Sequence, residues 1–251
     1  MNPFGALVRR ESTHLLRSAH GLGPLLLALA GASALFILIL RHEEGHVVQV
    51  PALWGLATAF GLPFISSVAA SRGFTRDREN GMMRLMFATP IRARWWVLGK
   101  VFGAWSLSMI YVLGMMLSAW VFIRWLAPEQ AQIPWTWEGF GLATAMLLIE
   151  ALLWSALGTL ASLFSRSSAS TFLLALMISF CAPPMVCMFL STFMPDSVSQ
   201  WPWFPLQSIV YDCATGLIHV RALIGCLTAS FVVIYLAGIL FDTLRMLGSE
   251  R

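Results

Sequence analysis

Long apolar runs separated by short polar connections dominate the hydropathy pattern of this chain, falling at about 23–40, 51–73, 95–126, 138–164, 169–192 and 220–242. A helix rises 1.5 Å per residue and the hydrocarbon core of a bilayer is about 30 Å thick, so each run is long enough to cross it. The pattern predicts an all-α integral membrane protein with six transmembrane helices in a single domain over residues 1–251. The third and fourth runs exceed what the membrane needs, and should tilt or project beyond it. The first, "GPLLLALAGASALFILIL", has small residues around Ala32 and Ala34 that would suit a cleaved signal peptide. Its continuation through Leu40 favours a retained span.

Ahead of that run, Phe4, Leu7, Val8, Leu15 and Leu16 interleave with Arg9, Arg10, Glu11 and Arg17 at nearly helical spacing. This predicts an amphipathic interfacial helix within residues 1–20, the alternative being an unstructured basic leader. Before the last span, residues 193–219 form an outer-face segment. Trp201 and Trp203 suit headgroup depth there, while Pro202 and Pro205 interrupt any long helix. Short outer-face helices dipping towards the membrane are expected, or an irregular loop with interfacial anchors. Pro183 and Pro184 should kink or break the fifth span, because each removes a backbone donor.

Composition agrees with the pattern: 58% of residues are hydrophobic and 11% charged, which excludes an ordinary soluble domain. The net charge of +4 does not point to nucleic acid, because the basic residues flank apolar runs instead of forming a soluble patch. Thirteen of the sixteen Lys and Arg residues fall on the side holding both termini, against Arg41, Arg124 and Arg221 opposite. The positive-inside rule therefore places both termini in the cytoplasm. Cys181, Cys187, Cys213 and Cys226 lack paired metal-ligand spacing and are expected to pack as small hydrophobes.

Charge is concentrated in one connection, "TRDRENGMMRLMFATPIRARWWVLGK" at 75–100, which holds eight of the twenty-eight charged side chains. The second span should continue as a helix into "SRGFTRDREN" and stop at Asn80 and Gly81, a pair suited to positive backbone angles. "MMRLMFA" then predicts a short, mostly apolar helix outside the membrane, either seeking a partner or lying on the lipid surface. Thr89 can cap the next helix and Pro90 is tolerated in its first turn. Residues 74–94 thus read as helix, turn, exposed helix, turn.

These residues resemble the cytoplasmic loop between spans two and three of type-two ATP-binding-cassette (ABC) permeases. There an acidic-x-x-Gly stretch leads through Thr-Pro to a Leu-Gly-Lys entering span three. Glu79, Gly81, Thr89, Pro90, Leu98, Gly99 and Lys100 match. The basic leader, the six spans and the long segment before span six extend the resemblance over nearly the whole chain. It implies a permease subunit of an ABC exporter in a bacterial inner membrane, two halves of which, identical or related, surround the path of an unidentified substrate. It also implies a coupling helix that docks on a cytoplasmic ATPase. Met82, Met83, Met86 and Phe87 would form the contact surface, with Glu79 and Arg84 at its rim. ATP and Mg would belong to the partner ATPase and no cofactor to this chain, which has no GxxxxGK[ST] phosphate loop: Val101 follows Gly99 and Lys100.

Glu150, in "AMLLIEALLW", is the carboxylate expected deep in a span. An acidic residue at mid-bilayer costs about 2.5–3.5 kcal/mol on insertion scales, so it should face protein or a wet cavity. It is a candidate for the translocation path or its gate, or a hydrogen-bonding link between helices. An intramembrane enzyme would need convergent polar groups, and the five histidines form no HExxH site and accompany no serine elbow. Two alternatives share the same loop: a permease-like scaffold that turns ATPase motion into assembly or movement of other membrane proteins, and a haem-exporter-type permease of cytochrome maturation.

Overall fold

The computed structural model describes residues 3–42, 50–89, 91–122, 124, 137–193, 206–218 and 220–249, and among these the chain forms helices and no strand. In order they are α1 (Pro3–Arg17), α2 (Ala19–His42), α3 (Val50–Ser71), α4 (Phe74–Glu79), α5 (Met82–Ala88), α6 (Ala93–Val121), α7 (Trp137–Phe164), α8 (Ser168–Phe193), α9 (Leu206–Ala214) and α10 (Val220–Ser249). Five stretches are long and apolar enough to cross a membrane: Gly21–Leu38, Val50–Glu79, Ala93–Val121, Glu138–Phe164 and Val220–Leu247. Ser168–Cys181, within α8, is a shorter apolar stretch. The chain is an all-helical integral membrane protein.

α3 lies at the centre and packs on α2, α6, α7, α8 and α9. Its position follows from its residues. It is apolar all round, and such a helix has no polar face to turn outward. Trp54 stands against Phe140 of α7 with ring centroids 5.2 Å apart. Small polar groups link the neighbours: the Tyr111 hydroxyl donates to the Thr58 carbonyl at 3.2 Å, and the Ser66 and Ser108 hydroxyls share a hydrogen bond at 3.1 Å. Around this core the outer faces stay apolar, with Leu26, Leu27, Phe231 and Tyr235 exposed, as a hydrocarbon solvent requires.

Two expectations change in detail. The second span does not continue unbroken into its charged end: α3 stops at Ser71, and α4 starts after Gly73. The break lets α4 dock on the end of α7, where the Phe74 amide donates to the Ser162 hydroxyl at 3.3 Å and the Thr75 hydroxyl to the Ser162 carbonyl at 3.1 Å. The fifth span is not broken, since α8 passes through positions 183 and 184 without interruption. Of the outer-face segment, Trp201, Pro202, Trp203 and Pro205 lie outside the described residues, as does Pro90. α9 within it is a short helix whose Ile209 and Val210 are buried in the core shared by α3 and α7.

α1 is a helix, as its spacing predicts, and its apolar face packs on α6. Leu7 and Leu15 are buried, and Phe4 meets Phe102 edge-on at 5.7 Å. α1, α4, α5, the α7–α8 turn and the end of α10 therefore meet at one polar end of the bundle.

Candidate functional site

The 74–94 connection forms the centre of this polar end. α4 closes at Asn80, whose φ of −87° is ordinary, and the left-handed position is Gly81 alone, at φ 71°. Only glycine adopts that angle without steric cost, so the turn that starts α5 depends on it. Thr89 ends α5 instead of capping α6: its hydroxyl donates to the Met86 carbonyl at 2.7 Å, while α6 starts after Arg92.

α5 turns its two faces to different surroundings. Met83 and Met86 are buried against Phe74, Trp96, Val97 and Phe241, so they form the core-facing side and not the free surface expected of them. Arg84 and Leu85 are exposed, Leu85 to 62%. Met82 and Phe87 lie between, half-buried, with Phe87 edge-on to Phe241 at 5.5 Å. Helical spacing explains the division. Positions 83 and 86 share a face, and 85 lies far round the helix from 83. With Met82, Met83, Leu85, Met86 and Phe87 all apolar, that spacing alone does not say which face turns inward. Glu79 does not stand free at the rim, because its carboxylate accepts from the Ser168 amide at 2.9 Å and holds the start of α8.

Behind α5, the end of α10 is tied to the same turn. Arg245 donates to the Thr89 carbonyl at 2.8 Å and to the Ile91 carbonyl at 3.3 Å. Phe241, one turn earlier, stacks at a tilt on Phe74 at 5.0 Å. α5 is thus wedged between α4, α6 and α10.

The Leu-Gly-Lys stretch acquires a physical reason here. A Cβ on Gly103 would stand 2.6 Å from Cβ of Glu11, and one on Gly99 would stand 3.1 Å from Cβ of Leu7. The bare backbone at these two positions, four apart on one face, lets α1 approach α6 closely. Lys100, between them, is 5% exposed and reaches Glu11 at 2.9 Å and Asp77 at 2.6 Å. Arg10 adds weaker pairs to the same carboxylates at 3.9 and 4.0 Å. A buried lysine is tolerated only with such partners, so Lys100 is an internal link between α1, α4 and α6 as well as a topological charge. Glu11 and Asp77 gain their importance from folding; the sequence offered only carboxylates among arginines.

Glu150 is fully enclosed in α7. Its Oε1 accepts from the Trp154 indole at 2.9 Å, and its Oε2 has no hydrogen-bond partner among the described residues. It faces protein, one of the two environments its cost allows. Cys213 and Cys226 are buried and Cys181 is exposed, while the surroundings of Cys187 lie outside the described residues. No group of three or more metal-binding side chains occurs among the described residues.

The fold and this polar end define an all-helical integral membrane protein with a short helix packed at one end of its bundle. The family model described as "ABC-2 family transporter protein" matches residues 47–241, most of the chain, and the protein belongs to that family. Comparison with curated proteins finds no match. Association with an ABC ATPase and with a lipid bilayer follows from the family.

Proposed function

We propose that this chain is one half of an ABC exporter, paired with a second, identical or related half, and driven through α5 by separate ATP-hydrolysing subunits. The observation that carries this reading is the two-sidedness of α5. Its inner face is cemented by Met83, Met86 and Phe87 to the ends of α6 and α10, while Arg84 and Leu85 remain outward. A rigid element packed on several spanning helices is what transmission of force requires. The docking surface is therefore Arg84 and Leu85, flanked by Met82 and Phe87, with Met83, Met86 and Glu79 as its support.

In this reading α8 also spans, fifth in chain order, and completes a set of six, since its 26 residues cover about 39 Å at 1.5 Å per residue. The polar end faces the cytoplasm of a bacterial cell, because it gathers the basic leader, the 75–100 connection and Arg245. ATP and Mg act on the partner ATPase. Glu150 acts as a gating group only through movement of α7 against its neighbours, as its carboxyl is enclosed.

Purification of the intact complex from membranes tests the proposal. The expected result is an ABC ATPase recovered with the chain, and Leu85→Asp lowering that recovery by about tenfold or more while insertion is unchanged, as for a charge buried in an interface core. Recovery of the chain as a lone, active transporter would overturn it.

A further inference from the structure

A cavity of about 110 Å³ opens between α1, α4 and the start of α6. Its walls carry four cations, Arg10, Arg72, Arg76 and Lys100, against two carboxylates, Glu11 and Asp77. Both carboxylates are committed to Lys100, at 2.9 and 2.6 Å, and more distantly to Arg10. Glu79, the other carboxylate of α4, is turned to the start of α8 and bonded to Ser168. Among the described residues no carboxylate lies within ion-pair distance of Arg72 or Arg76. Two guanidinium groups therefore line one cavity with no carboxylate in direct contact, Glu79 acting on Arg72 only from beyond ion-pair distance.

The neighbouring imidazole reports the same imbalance. His14 of α1 lines the cavity with its ring against the Arg76 guanidinium. Its pKa is lowered from 6.5, first by burial and then by the charge of Arg76, with Arg72 and Lys100 adding to the effect and Glu11 opposing it. Burial alone would disfavour any charge there, and it is the part of the effect due to Arg76, Arg72 and Lys100 that reports a local excess of positive charge.

We propose that this cavity is a binding site for a phosphate group, held by Arg72 and Arg76. The planar guanidinium fork matches phosphate oxygens in a bidentate manner. At about 110 Å³ the cavity exceeds several-fold the roughly 30 Å³ that one water takes in the liquid, which is room for a group of a few heavy atoms. The site lies beside α1 at the polar end of the bundle, the level at which phospholipid headgroups sit. A soluble phosphate offers the same chemistry. The site requires neither an ATPase nor a transported substrate, so it stands apart from the function proposed above.

The test uses the full-length protein in detergent, with thermal unfolding followed in the presence of phosphatidylglycerol, phosphatidylcholine or inorganic phosphate. Phosphatidylglycerol has a phosphate that no cation of its own neutralises, and should raise the unfolding temperature above that in phosphatidylcholine. Stabilisation by phosphatidylglycerol without an effect of inorganic phosphate identifies a lipid headgroup as the ligand, and stabilisation by inorganic phosphate identifies a soluble one. Joint replacement Arg72→Gln and Arg76→Gln should weaken the response by about tenfold or more in apparent affinity, as two charge-assisted contacts are lost. Joint replacement Arg92→Gln and Arg94→Gln removes the same charge from exposed positions outside the cavity and should leave the response in place. If the first double variant does not fold, Arg76→Gln alone replaces it. Wild-type protein that responds to neither ligand, or an equal loss in the two double variants, overturns the proposal.

Discussion

At its start α6 meets α1 through Gly99, Gly103 and the ion pairs of Lys100, whereas towards its other end it meets α2 through apolar side chains. The polar contact recorded there is modest: the Ser33 hydroxyl donates to that of Ser118 at 3.1 Å. Both ends use close packing on small residues, but only the first adds full charges. The difference follows from solvent. Near the membrane edge a charged group can be reached by water while the pair forms and separates, and deep in the bilayer it cannot. Charge therefore specifies partners at the end where helices α1, α4 and α5 must keep one arrangement, and shape suffices elsewhere.

The sharpest way to break this contrast is Lys100→Met. It strands Glu11 and Asp77 near each other in a buried site, and removing one partner of such a cluster costs about 3–5 kcal/mol. Thermal unfolding should show the loss, with faster proteolysis of α1, while Leu117→Ala on the exposed face of α6 should leave both nearly unchanged. An unaltered Lys100→Met protein would show that the ion pairs carry no weight.

Next in size is Gly103→Val, whose added carbon meets Glu11 almost at once. Overpacking of this kind costs about 1–3 kcal/mol, read as a lowered unfolding midpoint. Gly141→Ala is the control, because a Cβ there meets nothing within 4 Å. Ser118→Ala sharpens the comparison from the other end. Interhelical hydrogen bonds within membranes average about 0.6 kcal/mol, so its cost should be the smaller of the two by several-fold.

The mildest probe is pH. The unfolded chain binds a proton at His14 more readily than the folded chain, whose pKa is lowered. Stability from this group is thus complete above the unfolded value of 6.5 and declines as pH falls below it towards the lowered folded value. Unfolding of wild type and His14→Gln at several pH values between about 5 and 8 should show a difference that is confined to the acid side.

Much of the architecture was legible in the chain. The long apolar runs correspond to α2, α3, α6, α7, α8 and α10, and the leader's spacing to α1. Gly81 marked its turn correctly because its conformational freedom is a property of the residue itself. Thr89 was legible as a cap but not as to which helix it caps, since threonine can close one helix or open the next. The interior side of α5 was misplaced for a related reason. Methionine is apolar whether it meets a partner protein or its own core, and composition does not separate the two.

What the sequence alone determined is which runs are long and apolar enough to form the long helices, and which connection gathers the charge. These depend on the affinity of each side chain for water or hydrocarbon, a local property summed along a run. Only the tertiary structure decided that Lys100 pairs with Glu11 and Asp77, that Arg245 holds the turn after α5, and that Met83 and Met86 point inward while Leu85 does not. Those outcomes require residues distant in the chain to arrive within a few ångströms of each other, and that depends on how the helices pack.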